Sequence, residues 1–212
     1  MLLPFLLFSV LVCTYAIVLA KRIHALIRFF RLQAIFLFLA TLIFAIEHKN
    51  PEVFVIAGLL LVMKVILIPY FIQRFVKKMN VVERLGLFIN PLLSLVIALI
   101  FTYAAALFTL KILEVQDAVV YMSFAVSLTI VLTGFFIMVF RMKAVSQIIG
   151  LLVMENGIFL LATSIAGGMP FFVEIATFFD VFVCVVISGI FMHRINKLFT
   201  HIEVNRLTDL RG

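Results

Sequence analysis

Seven long apolar runs constrain this chain more than any other feature of its sequence. A membrane-spanning helix needs about 20 apolar residues, because each residue adds about 1.5 Å and the hydrocarbon core is about 30 Å thick. None of the runs alternates between polar and apolar residues as a membrane strand would. The sequence therefore predicts an all-α integral membrane protein with about seven transmembrane helices, at Leu2–Ala20, Ile27–Ile46, Val53–Ile72, Leu87–Phe108, Val119–Phe140, Ile148–Ala166 and Phe171–Met192.

The composition excludes most other classes of protein. Hydrophobic residues make up 66% of the chain and charged residues 13%, whereas roughly a quarter of the residues of a soluble domain are charged. A soluble enzyme, a disordered chain and a disulfide scaffold are therefore excluded. The cysteines and histidines lack metal-ligand spacing, and no Gly-rich phosphate loop or Ser/His/Asp set occurs. We predict no catalytic residue, no metal site and no cofactor in this chain.

Basic residues divide unevenly between the two sides of the predicted helices. The first, third and fifth loops and the C-terminal tail hold 14 of the 17 Lys and Arg residues, including Arg28 and Arg31 in the first loop. The positive-inside rule then predicts that the N-terminus lies outside and the C-terminus inside. Topology accounts for the net charge of +7, so we predict no nucleic-acid partner. The basic rim is expected to face anionic membrane lipid.

Three charged residues lie deep within apolar runs. Glu155 lies in the sixth run, Asp180 in the seventh and Lys64 in the third, each about 15–20 Å from the cytoplasmic end of its helix at 1.5 Å per residue. A charge at mid-bilayer costs about 2.5–3.5 kcal/mol and usually faces a protein interior or a water pathway. A row of ionisable groups at one depth indicates a midplane proton or ion path. Glu174, near the outer end of the seventh run, is either an interfacial residue or an outer exit group.

Glycines and prolines give further expectations about packing. Gly150 and Gly157 lie seven residues apart, on one face of the sixth run, where small residues allow the backbone of a neighbouring helix to approach. Pro69 and Pro91 are expected to bend the third and fourth helices. The segment 111–117 divides the chain into an N-terminal four-helix region, residues 1–115, and a C-terminal three-helix region with a cytoplasmic tail, residues 116–212.

Several segments resemble the hydrogenase-4 component E family. The stretch Gln147–Gly157 is similar to the family's GxxxMENG segment, and Lys64–Pro69 resembles its KVLLVP segment. The ending Glu203–Gly212 resembles the family's VNxLTxLxG tail, and Glu174 followed by Asp180 resembles its next helix. The likeness covers most of the chain. The last three helices also resemble the subunit K of respiratory complex I, which carries one glutamate in each of two helices.

The resemblance implies a role in a larger assembly in the cell membrane. Family members lie between antiporter-like membrane subunits and the membrane anchor of a NiFe-hydrogenase or formate hydrogenlyase complex, whose NiFe centre and iron–sulfur clusters belong to other subunits. Subunit K places its first glutamate directly after an IGL sequence, where this chain has Leu152; here the glutamate comes three residues later, at Glu155. Two alternatives stay open: a stand-alone secondary transporter or channel, and a scaffold whose buried charges set packing.

Overall fold

The structure, a computed structural model, describes residues 2–48, 51–78, 89–111 and 117–166, together with Phe182. Every regular element in these ranges is a helix. The helices are α1 (Leu2–Leu19), α2 (Ile23–His48), α3 (Pro51–Leu60), a π-helical segment (Leu61–Leu67), α4 (Ile68–Lys78), α5 (Pro91–Lys111), α6 (Ala118–Phe140) and α7 (Ala144–Ala166). The seventh predicted run, with Glu174 and Asp180, lies outside the described residues apart from Phe182.

Six helical stretches in the described ranges are long and apolar enough to cross a membrane: α1, α2, the continuous stretch from α3 to α4, α5, α6 and α7. Their exposed surfaces are largely apolar, as for Leu92 at 68% and Phe135 at 54% relative exposure. This protein is therefore an all-α, multi-pass membrane protein, as the length and polarity of the runs predicted.

Short connections arrange the helices as neighbouring hairpins. Three residues separate α6 from α7, and three separate α1 from α2, so each pair folds back on itself. Across the bundle, α1 packs on α5 and α6, and α2 packs on α7. The contacts of α1 with α6 and of α2 with α7 cross the predicted boundary at residues 115–116. The core between the helices is formed by apolar residues such as Leu7, Ile17, Phe30 and Ile130.

The second helix begins earlier than the sequence predicted. Its first residue is Ile23 rather than Ile27, because His24, Ala25 and Leu26 continue the helix. The assignment of Arg28 and Arg31 to the first loop was wrong, because both lie within α2, as they also lie within the predicted run Ile27–Ile46. Both side chains are exposed, and the stems of long basic side chains can cover apolar residues.

The two prolines act differently from one another. Pro69 is the second residue of α4, just after the π-helical segment Leu61–Leu67 ends, and the bend expected there stays a prediction. The prediction that Pro91 bends the fourth helix was wrong, because Pro91 is the first residue of that helix. Proline suits the first helical position, where its missing N–H would have no intrahelical acceptor. The side chain of Asn90 caps this end, because its Oδ1 accepts a hydrogen bond from the N–H of Leu92 at 3.2 Å.

Helices α6 and α7 pack backbone against backbone. A Cβ atom placed on Gly150 would lie 2.7 Å from the backbone nitrogen of Met138, and one on Gly157 would lie 2.8 Å from the backbone nitrogen of Val131. Such distances leave no room for a side chain, so the prediction of a close approach at these two glycines is confirmed. On α6, Gly134 meets the backbone of Met154 equally closely. The three glycines thus hold residues 154–156 against α6.

Candidate functional site

Lys64 is a fully buried lysine in the interior of a membrane-length helix. Its relative exposure is 0%, and it lies within the π-helical segment, eleven residues from Val53 and ten from Arg74 at the ends of its span. A charge at this depth is tolerated only when partners replace water. A π-helical stretch within an α-helix is frequently found at a functional site, and here it carries the lysine.

Glu155 supplies the opposite charge. Its Oε1 lies 2.9 Å from Nζ of Lys64, and the two side chains are 8% and 1% exposed. Its other oxygen, Oε2, is buried and has no hydrogen-bond partner among the described residues. A carboxylate has several acceptor positions, and the contact with Lys64 uses one of the two oxygens. The pair is therefore a buried ion pair in which one carboxylate oxygen has no partner among the described residues.

A line of hydrogen bonds extends from the ion pair across the bundle. Nζ of Lys64 donates to Oδ1 of Asn156 at 2.9 Å, and Nδ2 of Asn156 donates to Oε1 of Gln33 at 3.2 Å. Nε2 of Gln33 then donates to Oγ1 of Thr14 at 2.8 Å, and that hydroxyl donates to the carbonyl oxygen of Val10 at 2.9 Å. We call Thr14, Gln33 and Asn156 the amide relay. With Lys64 it joins the third membrane-length helix to α7, α2 and α1.

The relay has one direction, because its two ends are fixed. Lys64 can only donate through its ammonium group, and the carbonyl of Val10 can only accept. Every member between them must therefore accept from the Lys64 side with one atom and donate toward Val10 with another. All the relay side chains are buried at 0% exposure, where an unsatisfied polar atom would be costly. The arrangement orients the oxygen of Asn156 toward Lys64.

An aromatic ring also lies beside the lysine. Nζ of Lys64 lies 5.5 Å from the centre of the Phe159 ring. Phe159 is one helical turn after Glu155 on α7, so both side chains face the same neighbour. The negative face of an aromatic ring attracts a cation. Lys64 is thus surrounded by a carboxylate, an amide oxygen and a ring, all from α7.

Arg31 is attached to the backbone of the same π-helical segment. Its Nε donates to the carbonyl oxygen of Val65 at 3.1 Å. In an α-helix this carbonyl would bond to the N–H four residues later, but that residue is Pro69, which has no N–H. Arg31 therefore supplies a donor to this carbonyl where Pro69 cannot supply the α-helical one. This bond fixes the segment next to Lys64 against α2.

A second buried cation, Arg141, lies at one end of the bundle. It is 4% exposed, and its guanidinium donates to the carbonyl oxygens of Ile17, Val18 and Ala20 at 3.2, 2.6 and 2.9 Å. These are terminal carbonyls of α1, where a cation is favoured by the helix dipole. Burial lowers the pKa of Arg141 to about 10, so the side chain is charged at neutral pH. Arg141 joins the end of α1 to the link between α6 and α7.

The structure brings together two of the four site residues that the sequence predicted. Lys64 and Glu155 are in direct contact, whereas Asp180 and Glu174 lie outside the described residues. Sequence reasoning did not identify Gln33, Thr14 or Arg141. Gln33 was detectable in principle as an amide within an apolar run, but neither its partner nor that of Arg141 is encoded by local spacing.

Comparison with known proteins adds one relative. The chain is 25% identical over 196 residues to the uncharacterised protein Rv0085 of Mycobacterium tuberculosis (strain H37Rv), and the match covers 92% of this chain and 89% of that protein. No protein-family model matches the chain. No solved structure matches it either.

Proposed function

We propose that this chain is a non-catalytic membrane subunit of a complex I-like NiFe-hydrogenase complex, in which Lys64, Glu155 and Asp180 belong to a midplane path for protons or other cations. Glu174 would be its outer member. The observation that carries the proposal is the ion pair between Lys64 and Glu155, buried at mid-span in the segments that resemble the component E family. The chemistry is reversible protonation, with no bond broken in a substrate.

We also propose the number of transmembrane helices and their orientation. The chain has seven transmembrane helices, the last formed by residues 171–192, with the N-terminus outside and the C-terminus inside the cell membrane. The partners are antiporter-like subunits and the membrane anchor of the complex, with lipid around the remaining surface. The NiFe centre and the iron–sulfur clusters belong to partner subunits. A reporter fused after Gly212 should face the cytoplasm, and one fused before Met1 should face outward.

The pair is more consistent with a path than with a scaffold for a physical reason. A buried ion pair is weak support for stability, because apolar residues of similar volume often stabilise a protein as well or better. Retaining two charges at mid-span is therefore costly unless they do something that apolar residues cannot do. Changing protonation state is such a property, and Oε2 of Glu155 is placed to provide it.

Purification from the native host in a gentle detergent tests the proposal. A tagged chain should bring down antiporter-like subunits and a hydrogenase with NiFe and iron–sulfur centres, and the isolated complex should oxidise or evolve hydrogen. A different multi-pass protein with the same tag is the control. Recovery of the chain alone, or as a homo-oligomer, would instead favour the stand-alone transporter or channel. The scaffold alternative predicts copurification without any effect of the ion pair on ion movement.

A further inference from the structure

Gln33 occupies the centre of the amide relay, although the proposed path gives it no role. Both ends of its carboxamide are used: Oε1 accepts from Asn156 at 3.2 Å, and Nε2 donates to Thr14 at 2.8 Å. The side chain is fully buried within a membrane-length helix. A glutamine here costs desolvation that a leucine would not, and what it provides in return is a fixed orientation for Asn156.

We propose that Gln33 is a positioning residue for the ion pair between Lys64 and Glu155. Its carboxamide holds Asn156 with Oδ1 toward Lys64, and the ammonium is thereby held against Oε1 of Glu155 while Oε2 stays available to a proton. This inference deepens the proposed function and rests on it for its consequence in ion movement. The orientation itself is measurable on the chain without any hydrogenase.

The step from Gln33 to Lys64 follows from the chemistry of the amide groups. If Asn156 were rotated by half a turn, its Nδ2 would face Nζ of Lys64, donor against donor. Gln33 opposes that rotation, because its Oε1 then would face the oxygen of Asn156, acceptor against acceptor. Thr14 fixes Gln33 in turn by accepting from Nε2. Loss of Gln33 therefore frees Asn156 to turn. Lys64 then loses its hydrogen bond to Oδ1 of Asn156, which helps to hold it against Glu155.

Few other charged groups of the described helices face the pair. On α2, Arg31 is exposed and bonds to the carbonyl of Val65. Helix α6 carries no Asp, Glu, Lys, Arg or His, and its one titratable side chain is Tyr121. Helix α1 carries Cys13 and Tyr15. Within the described helices, Lys64 is therefore the charged group in direct contact with Glu155.

Labelling with dicyclohexylcarbodiimide measures this directly. The reagent enters membranes and reacts with protonated carboxyl groups, so a Glu155 held as a carboxylate by Lys64 reacts slowly. The full-length chain in native membranes is labelled at pH 5 and at pH 8, and the modified fraction of Glu155 is determined by peptide mass spectrometry. Expressing the result as a fraction of the chain present removes differences in expression.

We expect the labelling of Glu155 at pH 8 to rise most when Lys64 is replaced, and to rise less when a residue of the amide relay is replaced. Lys64→Met should raise it about tenfold or more, because one strong charge interaction changes a proton equilibrium by that factor. Gln33→Leu should raise it about threefold, and Thr14→Val about twofold, since each weakens that interaction indirectly. Thr41→Val is the matched control: Thr41 is also buried on α2, but its hydroxyl bonds to Leu37 in its own helix.

A second label separates positioning from a looser structure. Cys13 is buried on α1 next to Thr14, so easier access of reagents to this region would raise its reaction with N-ethylmaleimide together with the labelling of Glu155, whereas a lost orientation raises the labelling of Glu155 alone. Wild-type labelling of Glu155 in both Gln33→Leu and Thr14→Val, or an equal rise at Glu155 and Cys13, would overturn the inference, as would wild-type labelling in Lys64→Met. If the labelling behaves as expected but no hydrogenase copurifies, the proposed function fails while the positioning role stands.

Discussion

Lys64 and Arg141 are both buried basic residues, but their surroundings are of opposite kinds. Arg141 donates to three backbone carbonyls at the end of α1, and carbonyls do not titrate. Lys64 faces a carboxylate and an amide oxygen at mid-span, and the carboxylate can be protonated. The difference gives a criterion for the proposed path: a charge can belong to it only if its partner is titratable, because backbone carbonyls cannot change the charge of a site.

The largest expected effect is loss of the lysine from the ion pair. Lys64→Met leaves Glu155 buried without its counter-charge, which should lower the free energy of unfolding by about 3–5 kcal/mol. Adding Glu155→Leu should restore most of this loss, although Asn156 still lacks a donor at a cost of about 1–3 kcal/mol. Unfolding by sodium dodecyl sulfate in mixed micelles, followed by circular dichroism, measures both. A double variant as unstable as the single one would show that the carboxylate is not what Lys64 compensates.

Replacing Arg141 should have a different effect, because its partners are backbone carbonyls and a second substitution cannot remove them. Arg141→Met should cost about 2–4 kcal/mol, because the terminal carbonyls of α1 lose charge-assisted hydrogen bonds. Arg141→Lys should recover a part of this, since one ammonium cannot reproduce the fork of the guanidinium.

The effect of Arg141→Met should be the same at pH 6 and pH 8. Burial lowers the pKa of Arg141 to about 10 from 12.5, so the group is charged in both folded and unfolded chains over this range, and no proton is exchanged on unfolding. Above about pH 10, Arg141 releases its proton in the folded chain before it does so in the unfolded chain. The cost of burying the charged guanidinium then falls as the pH rises. Unfolding titrations at the two pH values check this, and a loss that differs between them would contradict the structural assignment.

A smaller effect is expected where α6 and α7 hold the glutamate in place. Gly134→Ala puts a Cβ 2.8 Å from the carbonyl oxygen of Gly150, so the helices must separate, at a cost of about 1–3 kcal/mol. Gly58→Ala is the matched control, because nothing lies within 4 Å of its added Cβ; it should stabilise the helix by up to about 1 kcal/mol. Equal effects of the two changes in the same unfolding assay would contradict the backbone packing.

The sequence was sufficient for the helices but not for the partners of their polar residues. Apolar length predicts where a helix crosses a membrane, and mid-run charges such as Lys64 and Glu155 stand out against it. Which of them meet depends on how distant helices pack, and the π-helical segment that orients Lys64 has no recognised local signature. Gln33 and Arg141 were missed for the same reason, since their importance comes from contacts more than 100 residues away.

Pro91 and Arg31 show the limits of local rules. Proline within an apolar run predicts a bend, but the same residue is favoured at a first helical position, and the helix begins there. Arg31 was counted with the first loop because it is basic, although it lies inside the helix and donates to the carbonyl of Val65. The first error concerns where a helix starts, which depends on caps and distant contacts as much as on hydropathy.

The most direct test of the account is ion movement by the assembled complex carrying Lys64→Met together with Glu155→Leu. This double variant removes both charges without leaving either one unpaired. Reconstituted into liposomes, the complex should keep hydrogenase turnover with an artificial electron donor but move protons or other cations only at background level. Thr163→Val, a change of a buried hydroxyl two turns further along α7, should retain both activities. Ion movement per hydrogen equal to wild type in the assembled double variant would contradict the claim that this pair lies on the path.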